Sequence, residues 1–173
     1  AHNETIMLKA RTKKDVSWDF TLETPHLWNG LEDPYLYTVS VHAGEDTAQT
    51  EVGFRYFSLD REKGFFLNGK NRKIRGVCMH HDLGPLGAAI NKAAFRSQLT
   101  ILKDMGCDAI RTSHNMPAEE LIELCDEMGF MVMCENFDEW DIAKCENGYH
   151  RFFNEDSGDG RIWAERDMIN MLH

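Results

Sequence analysis

Cys107-Asp108-Ala109-Ile110-Arg111-Thr112-Ser113-His114-Asn115-Met116-Pro117 is the stretch on which the fold turns. Its first half, through Thr112, reads as a short apolar strand. A helical segment ended by Gly106 precedes it, and Pro117 opens a second helix just beyond. A strand set between two helices marks an α/β domain with a parallel sheet. Arg111, Ser113, His114 and Asn115 then gather where the strand gives way to its loop. In barrels of alternating strands and helices that is the side where active sites are built.

Working outward, the same grammar repeats on both sides. Lys73 to His80 reads as a strand, and Asn91 as the cap of a helix to Met105 with Phe95, Leu99 and Leu102 at helical spacing. The helix opened by Pro117 carries Leu121, Leu124 and Met128 on one face and is stopped by Gly129. Phe130 to Cys134 is a nearly unbroken apolar run, as expected of a strand buried on both faces of a parallel sheet. After a long polar, Gly-rich loop, Ile162 to Leu172 begins another amphipathic helix, giving βαβαβα.

The first 60 residues read differently. Trp18, Phe20 and Leu22 alternate, as do Tyr37, Val39 and Val41, the period of half-buried strands. Between them Pro25 to Asn29 and Asp33-Pro34 form a turn-rich corner. A strand is expected over Thr50 to Phe57, and Asn68-Gly69 signals a hairpin after Phe65-Phe66-Leu67. This spacing fits the end of an antiparallel β-sandwich. Residues 1–60 are therefore expected to be the C-terminal part of a sandwich, and 61–173 the first three βα units of a barrel. Three parallel strands alone would leave an apolar edge, and the last helix reaches His173 without a stop signal. The expectation is a piece of a larger protein.

Among 173 residues, 19 are Lys or Arg and 29 Asp or Glu, for a formal net charge of −10. That balance argues against nucleic acid or an anionic membrane as partner. The five cysteines, Cys78, Cys107, Cys125, Cys134 and Cys145, form no CxxC pair, and most fall in apolar runs or helix faces. Reduced, buried thiols are expected rather than a disulfide framework or a zinc site. No stretch is apolar and long enough to cross a membrane. No signal-peptide pattern is present, and the chain starts at Ala1, so a cytoplasmic or periplasmic compartment stays open.

Three polar clusters fall at the ends of the three strands: His80-His81-Asp82, Arg111 to Asn115, and Glu135 to Trp140. Singly, each has a plain structural reading: a strand-end Arg held by Glu135, surface histidines, a solvated Asp138-Glu139 loop. Together on one rim they point to binding, because binding residues concentrate on loops carried by a rigid scaffold. His80, His114, Asp82 and Glu135 could ligate a divalent metal, but no HxxEH or HxH spacing supports it. No nucleophile elbow or glycine-rich phosphate loop is present. Hydrogen-bonding groups plus the aromatic Trp140 fit a polyhydroxylated ligand such as a sugar.

Gly53-Phe54-Arg55, Gly64-Phe65-Phe66-Leu67-Asn68-Gly69, Arg75-Gly76-Val77 and His80 form an ordered series. It resembles the junction of immunoglobulin-like domain and TIM barrel in glycoside hydrolase family 2, the β-galactosidase and β-glucuronidase family. Pro25-His26-Leu27-Trp28 and Pro34-Tyr35-Leu36-Tyr37 are similar to that family's sandwich signature. Arg111-Thr112-Ser113-His114 is similar to its barrel motif, continued by Leu124 to Gly129 and Glu135. The resemblance implies a retaining exo-β-glycosidase, most like β-galactosidase, using two glutamates with carboxyls about 5 Å apart. It places the acid/base in an Asn-Glu pair on the fourth barrel strand and the nucleophile near the seventh. Asn3-Glu4 and Asn154-Glu155 lie in neither context, so both catalytic glutamates are expected beyond His173.

What the resemblance carries onto this chain is substrate binding. It implies His80 and His114 against the sugar, Arg111 steadying the catalytic carboxylates, and Asn115 and Asp82 as further sugar contacts. Glu135 would hold Arg111, while Asp138 or Trp140 would shape the pocket. The implied partner is a β-linked galactoside or related carbohydrate, with a homo-oligomer of the full-length enzyme left open and no cofactor expected. There are departures: His81 stands where Glu is usual, and Asp138 to Asp141 lacks the Glu-x-His spacing of magnesium ligands in some β-galactosidases. Asn115 after Ser-His leans towards a galactosidase. β-Glucuronidase and β-mannosidase remain as alternatives within the family. Outside it stand a non-catalytic carbohydrate-binding or complementing fragment and a metal-dependent hydrolase built on His80, His114 and Glu135.

Overall fold

A computed structural model describes residues 2–172; the expectation for His173 lies outside them. Three small sheets follow one another. β1 (Tyr37–Ala43) and β2 (Asp46–Val52) form an antiparallel hairpin with Tyr37 opposite Val52. β3 (Phe57–Asp60), β4 (Gly64–Leu67) and β5 (Lys70–Arg72) form an antiparallel meander. β6 (Gly76–Met79), β7 (Ala109–Thr112) and β8 (Met131–Met133) form a parallel sheet in sequence order. The connections carry α1 (Lys92–Asp104) and α2 (Glu119–Met128), and α3 (Trp163–Leu172) follows the long loop after β8.

Local chemistry sets the ends of these elements. The Asn91 side chain accepts a 2.9 Å hydrogen bond from Ala94 N, satisfying a donor that the first turn of α1 leaves free. Glu119 and Glu120 place negative charge at the N-terminus of α2, and Gly129 ends that helix in the left-handed region at φ +85°. At the β4–β5 turn Asn68 and Gly69 both take positive φ, +50° and +77°, as a two-residue hairpin with right-twisted strands requires.

The core sits between the parallel sheet and its helices. Leu99 of α1, Ile110 of β7, and Leu121, Leu124 and Cys125 of α2 close around Phe130. Val77, Ile110 and Val132 are register partners facing this side, while Cys78, Arg111 and Met133 are partners on the opposite face. Burying each large apolar side chain contributes about 1.5–3 kcal/mol.

The turn-rich corner joins the parts. Trp28, 1% exposed, donates from Nε1 to the Asp126 carbonyl at 2.8 Å, and Asn68 Nδ2 donates to the Trp28 carbonyl at 2.9 Å. Arg72 of β5 reaches back to Asn29 at 2.9 Å and Glu32 at 3.0 Å. The backbone at Gly30 passes so close to Gly129 that a Cβ there would lie 2.4 Å from the Gly30 carbonyl oxygen.

Three expectations need correction. Residues 17–22 form no strand: Trp18 instead donates to Glu4 at 2.7 Å, and Phe20 is 71% exposed. Alternation supplies a face, but a strand is made by its ladder, and no described segment pairs here. The strand expected over Thr50 to Phe57 is split. β2 ends at Val52, Phe54 bridges to Leu27, and β3 starts at Phe57. The break falls at Gly53, where a Cβ would lie 3.1 Å from Trp28. Of the cysteines, Cys107 and Cys125 are buried, whereas Cys78, Cys134 and Cys145 are exposed, and all are free. Cys78 belongs to the strand face turned away from the helices.

Trp28→Ala is expected to lower stability by about 3–5 kcal/mol through the lost core contacts. Trp18→Ala, at an exposed position, is expected to stay within about 0.5 kcal/mol. Chemical denaturation of the two variants checks the contrast.

Candidate functional site

The C-terminal ends of β6, β7 and β8 lie side by side because the strands are parallel, so the three polar clusters share one rim. Arg111 stands at its centre. Its Nε donates to Glu135 Oε1 at 2.5 Å, and Nη2 pairs with the same oxygen. Nη1 reaches Cys78 Sγ at 3.3 Å and Ser113 Oγ at 3.2 Å. One guanidinium thus ties β6, β7 and the end of β8 together. The Glu135 amide donates to Thr112 Oγ1 at 2.9 Å, fixing the backbone from which the carboxylate projects.

His114 Nδ1 lies 3.0 Å from Glu135 Oε2. An ionised carboxylate only accepts, so Nδ1 carries the hydrogen of this bond. The peptide bond between Ser113 and His114 is cis. The His80 ring meets that of His114 edge to face, centroids 5.4 Å apart. His80, Arg111, His114 and Glu135 are therefore brought together.

Burial pushes the Glu135 carboxyl upward, but hydrogen bonds from His114 and Arg111 and the guanidinium charge outweigh it. Its pKa is held below the ordinary glutamate value. Hydrogen bonds from Ser113 and Arg111 lower the Cys78 thiol as well. The Arg111 side chain is 37% exposed, His114 39% and Glu135 23%, so the group is half-sheltered yet open to a ligand.

The other four expected residues stand apart. Asp82 turns its carboxylate onto its own loop, accepting from Gly84 N at 2.8 Å. Asp138 pairs with Lys144 Nζ at 2.8 Å, which holds its carboxyl down. Trp140 is 66% exposed. Asn115 lines a cleft of about 330 Å³ together with Asp138, Lys144 and Tyr149. A second cleft of about 360 Å³ lies between the 81–90 loop and the start of α2, and Met116 borders both. Among the described residues no three His, Cys, Asp or Glu side chains gather as a metal-binding group.

Glu139, read from the sequence as part of a solvated loop, is instead buried at 6% exposed. Its carboxylate accepts from Lys144 N at 2.8 Å, His150 N at 2.9 Å and His150 Nδ1 at 2.6 Å. The two backbone amides, ahead of the His150 ring, bring its pKa down to about 2. Only Gly148, nine residues on, hinted at a close approach. In a run of Asp, Glu and Trp nothing separates a buried carboxylate from a solvated one.

A βα sheet carrying its polar groups at the strand ends has the site architecture of a TIM barrel. Comparison with known proteins agrees. Residues 59–164 match the model of the glycosyl hydrolases family 2 TIM barrel domain, and residues 1–55 that of glycosyl hydrolases family 2. The chain belongs to glycosyl hydrolases family 2, and its fold is that of the family's β-sandwich and TIM barrel. It is 53% identical over 157 residues to the β-galactosidase BoGH2A of Bacteroides ovatus, covering 88% of this chain and 18% of that protein. A β-glucuronidase of Bacteroides fragilis is 36% identical over 119 residues, 66% of this chain and 17% of that protein. The crystal structure of a β-glycosidase from Bacteroides vulgatus superposes with a TM-score of 0.75 at 38% identity, over 86% of this chain and 19% of that one. The chain thus spans under a fifth of the length of these relatives.

The depressed Glu135 pKa gives a pH expectation. The stabilisation from its pairing is fully present above the unfolded carboxyl pKa and is lost as pH falls through the lower folded value. Removing the guanidinium in Arg111→Gln leaves burial with less opposition, so the Glu135 pKa is expected to rise. A carboxyl-carbon NMR titration of Glu135 in the two proteins checks the direction; an unmoved pKa would sink the assignment.

Proposed function

We propose that this chain is part of a retaining exo-β-glycosidase acting on β-linked galactosides, with the acid/base and nucleophile glutamates supplied from beyond His173. Residues 1–60 then close the immunoglobulin-like sandwich and 61–173 open the catalytic barrel. The observation that carries this reading is the Arg111–Glu135–His114 cluster at the strand ends, with His80 against it.

Each residue then has a chemical task. His114, its Nδ1–H engaged by Glu135, leaves Nε2 for a hydrogen bond with a sugar hydroxyl, and His80 lies beside it. Arg111 keeps positive charge where catalytic carboxylates must stay ionised, as a nucleophile requires. Glu135 orients both Arg111 and His114. Asn115, Asp82, Asp138 and Trp140 contact the sugar or shape its pocket from the surrounding loops. A homo-oligomer of the complete enzyme remains part of the proposal.

A neutral sugar is favoured over a uronate by how the rim's cations are used. Arg111 is engaged by Glu135 and Lys144 by Asp138, so neither guanidinium nor ammonium is free for a substrate carboxylate. The 53% identity to a β-galactosidase supports the same choice.

In the full-length protein, chromogenic β-galactoside is expected to be hydrolysed with retention, faster than the matching β-glucuronide or β-mannoside. His114→Ala is expected to cut kcat/KM by roughly a hundredfold. The 173-residue chain alone is expected to be inactive, because a barrel of this kind takes about 250 residues. Hydrolysis by a mass-verified preparation of that piece, or a full-length enzyme preferring the glucuronide, would overturn the corresponding part.

A further inference from the structure

We propose that Glu139 is a positioning residue, whose carboxylate pins the 140–150 segment to the chain that follows β8 and so fixes the wall of the cleft beside the sugar-binding rim. The proposal rests on the glycosidase reading for its kinetic readout and on geometry for its structural one.

Glu139 lies four residues beyond Glu135, and its side chain is 5% exposed. Between residues 140 and 148 the chain forms no helix or strand, so its course must be set by something other than a backbone ladder. Lys144 within it, and His150 in the single 3-10 turn Tyr149–Arg151 that follows, deliver their backbone N–H groups to the same carboxylate at 2.8 and 2.9 Å. The His150 ring adds a third donor at 2.6 Å. Gly148 is pressed onto the carboxylate so closely that a Cβ there would lie 1.7 Å from Oε1.

The pinned segment is the cleft wall. Lys144, Gly148 and Tyr149 line the cleft together with Asn115 and Asp138. Tyr149 continues the brace, its hydroxyl donating to Asp167 of α3 at 2.5 Å and its ring stacking on Phe137 at 4.9 Å between centroids. Glu139 borders the same cleft, but its carboxylate is taken up by the loop's donors and makes no hydrogen bond to Arg111, His114 or Glu135.

An ionised carboxylate is the group this arrangement needs. Three donors converge on two oxygens, which a carboxylate can satisfy in full. A glutamine of the same shape has one oxygen and turns N–H groups towards a donor, leaving at least one loop contact unmade.

In the full-length enzyme Glu139→Gln is expected to raise KM for a chromogenic β-galactoside by about tenfold while kcat stays within about threefold, the pattern of lost binding rather than lost chemistry. An unchanged KM, or a fall in kcat with KM unmoved, overturns the proposal. A second measurement needs no variant: in wild-type protein the Lys144 and His150 amides are expected to exchange hydrogen at least about tenfold more slowly than the amides between them. Rapid exchange at both positions overturns it, even if Glu139→Gln fails to fold. Failure of the wild-type enzyme to turn over any chromogenic glycoside strikes the glycosidase reading instead, and the exchange result then decides the pinning by itself.

Discussion

The guanidinium of Arg111 is the constraint on which the rim depends. Parallel strands bring chain segments that are distant in sequence to one edge, but they do not orient the side chains found there. Arg111 does so by bonding to β6 through Cys78, to its own strand end through Ser113 and to the residue beyond β8 through Glu135. Glu135 in turn accepts from Nδ1 of His114. A buried or half-buried carboxylate without such a partner would be driven towards its neutral form. Here the pairing keeps it charged.

A second constraint sits at the base of the structure. Trp28 and Gly30 lie in a segment with almost no regular structure, yet they contact α2 and the meander at the same time. The indole N–H caps a carbonyl near the end of α2, and Gly129, which terminates that helix, leaves room for the Gly30 backbone. The helix end that positions β8, and through it Glu135, is therefore held from the sandwich side of the chain.

The parallel βα units were legible because each carries redundant signals. Asn91 caps α1, Gly106 and Gly129 stop the helices, and the apolar face of each helix keeps its period. The N-terminal region has one signal only, alternation at Trp18, Phe20 and Leu22, and alternation does not make a strand without a partner. The Arg111–Glu135 pair could be anticipated because an arginine and a glutamate at adjacent strand ends have few other solutions. Asp82 and Trp140 could be named as rim residues, but not where their side chains point, since a loop residue's direction depends on hydrogen bonds such as that from Gly84 N. The Glu139 contacts were illegible for the same reason: their donors are backbone amides, which every residue possesses.

Glu135 and Glu139 show how one short segment separates two uses of the same side chain. Both are ionised, but their partners differ in kind. Glu135 faces mobile-charge groups, a guanidinium and an imidazole, and keeps 23% of its side chain exposed. Its environment can respond when a ligand arrives, because those partners can redistribute their hydrogen bonds. Glu139 faces backbone amides and is sealed under a glycine. Amides fixed by the chain cannot redistribute without moving the loop, so this carboxylate stores shape rather than reactivity. The loop's sequence reflects the difference. It needs a glycine at 148, where any Cβ would strike the carboxylate. The same short segment thus places one carboxylate on side-chain cations at the strand ends and the other on the backbone of the loop that follows.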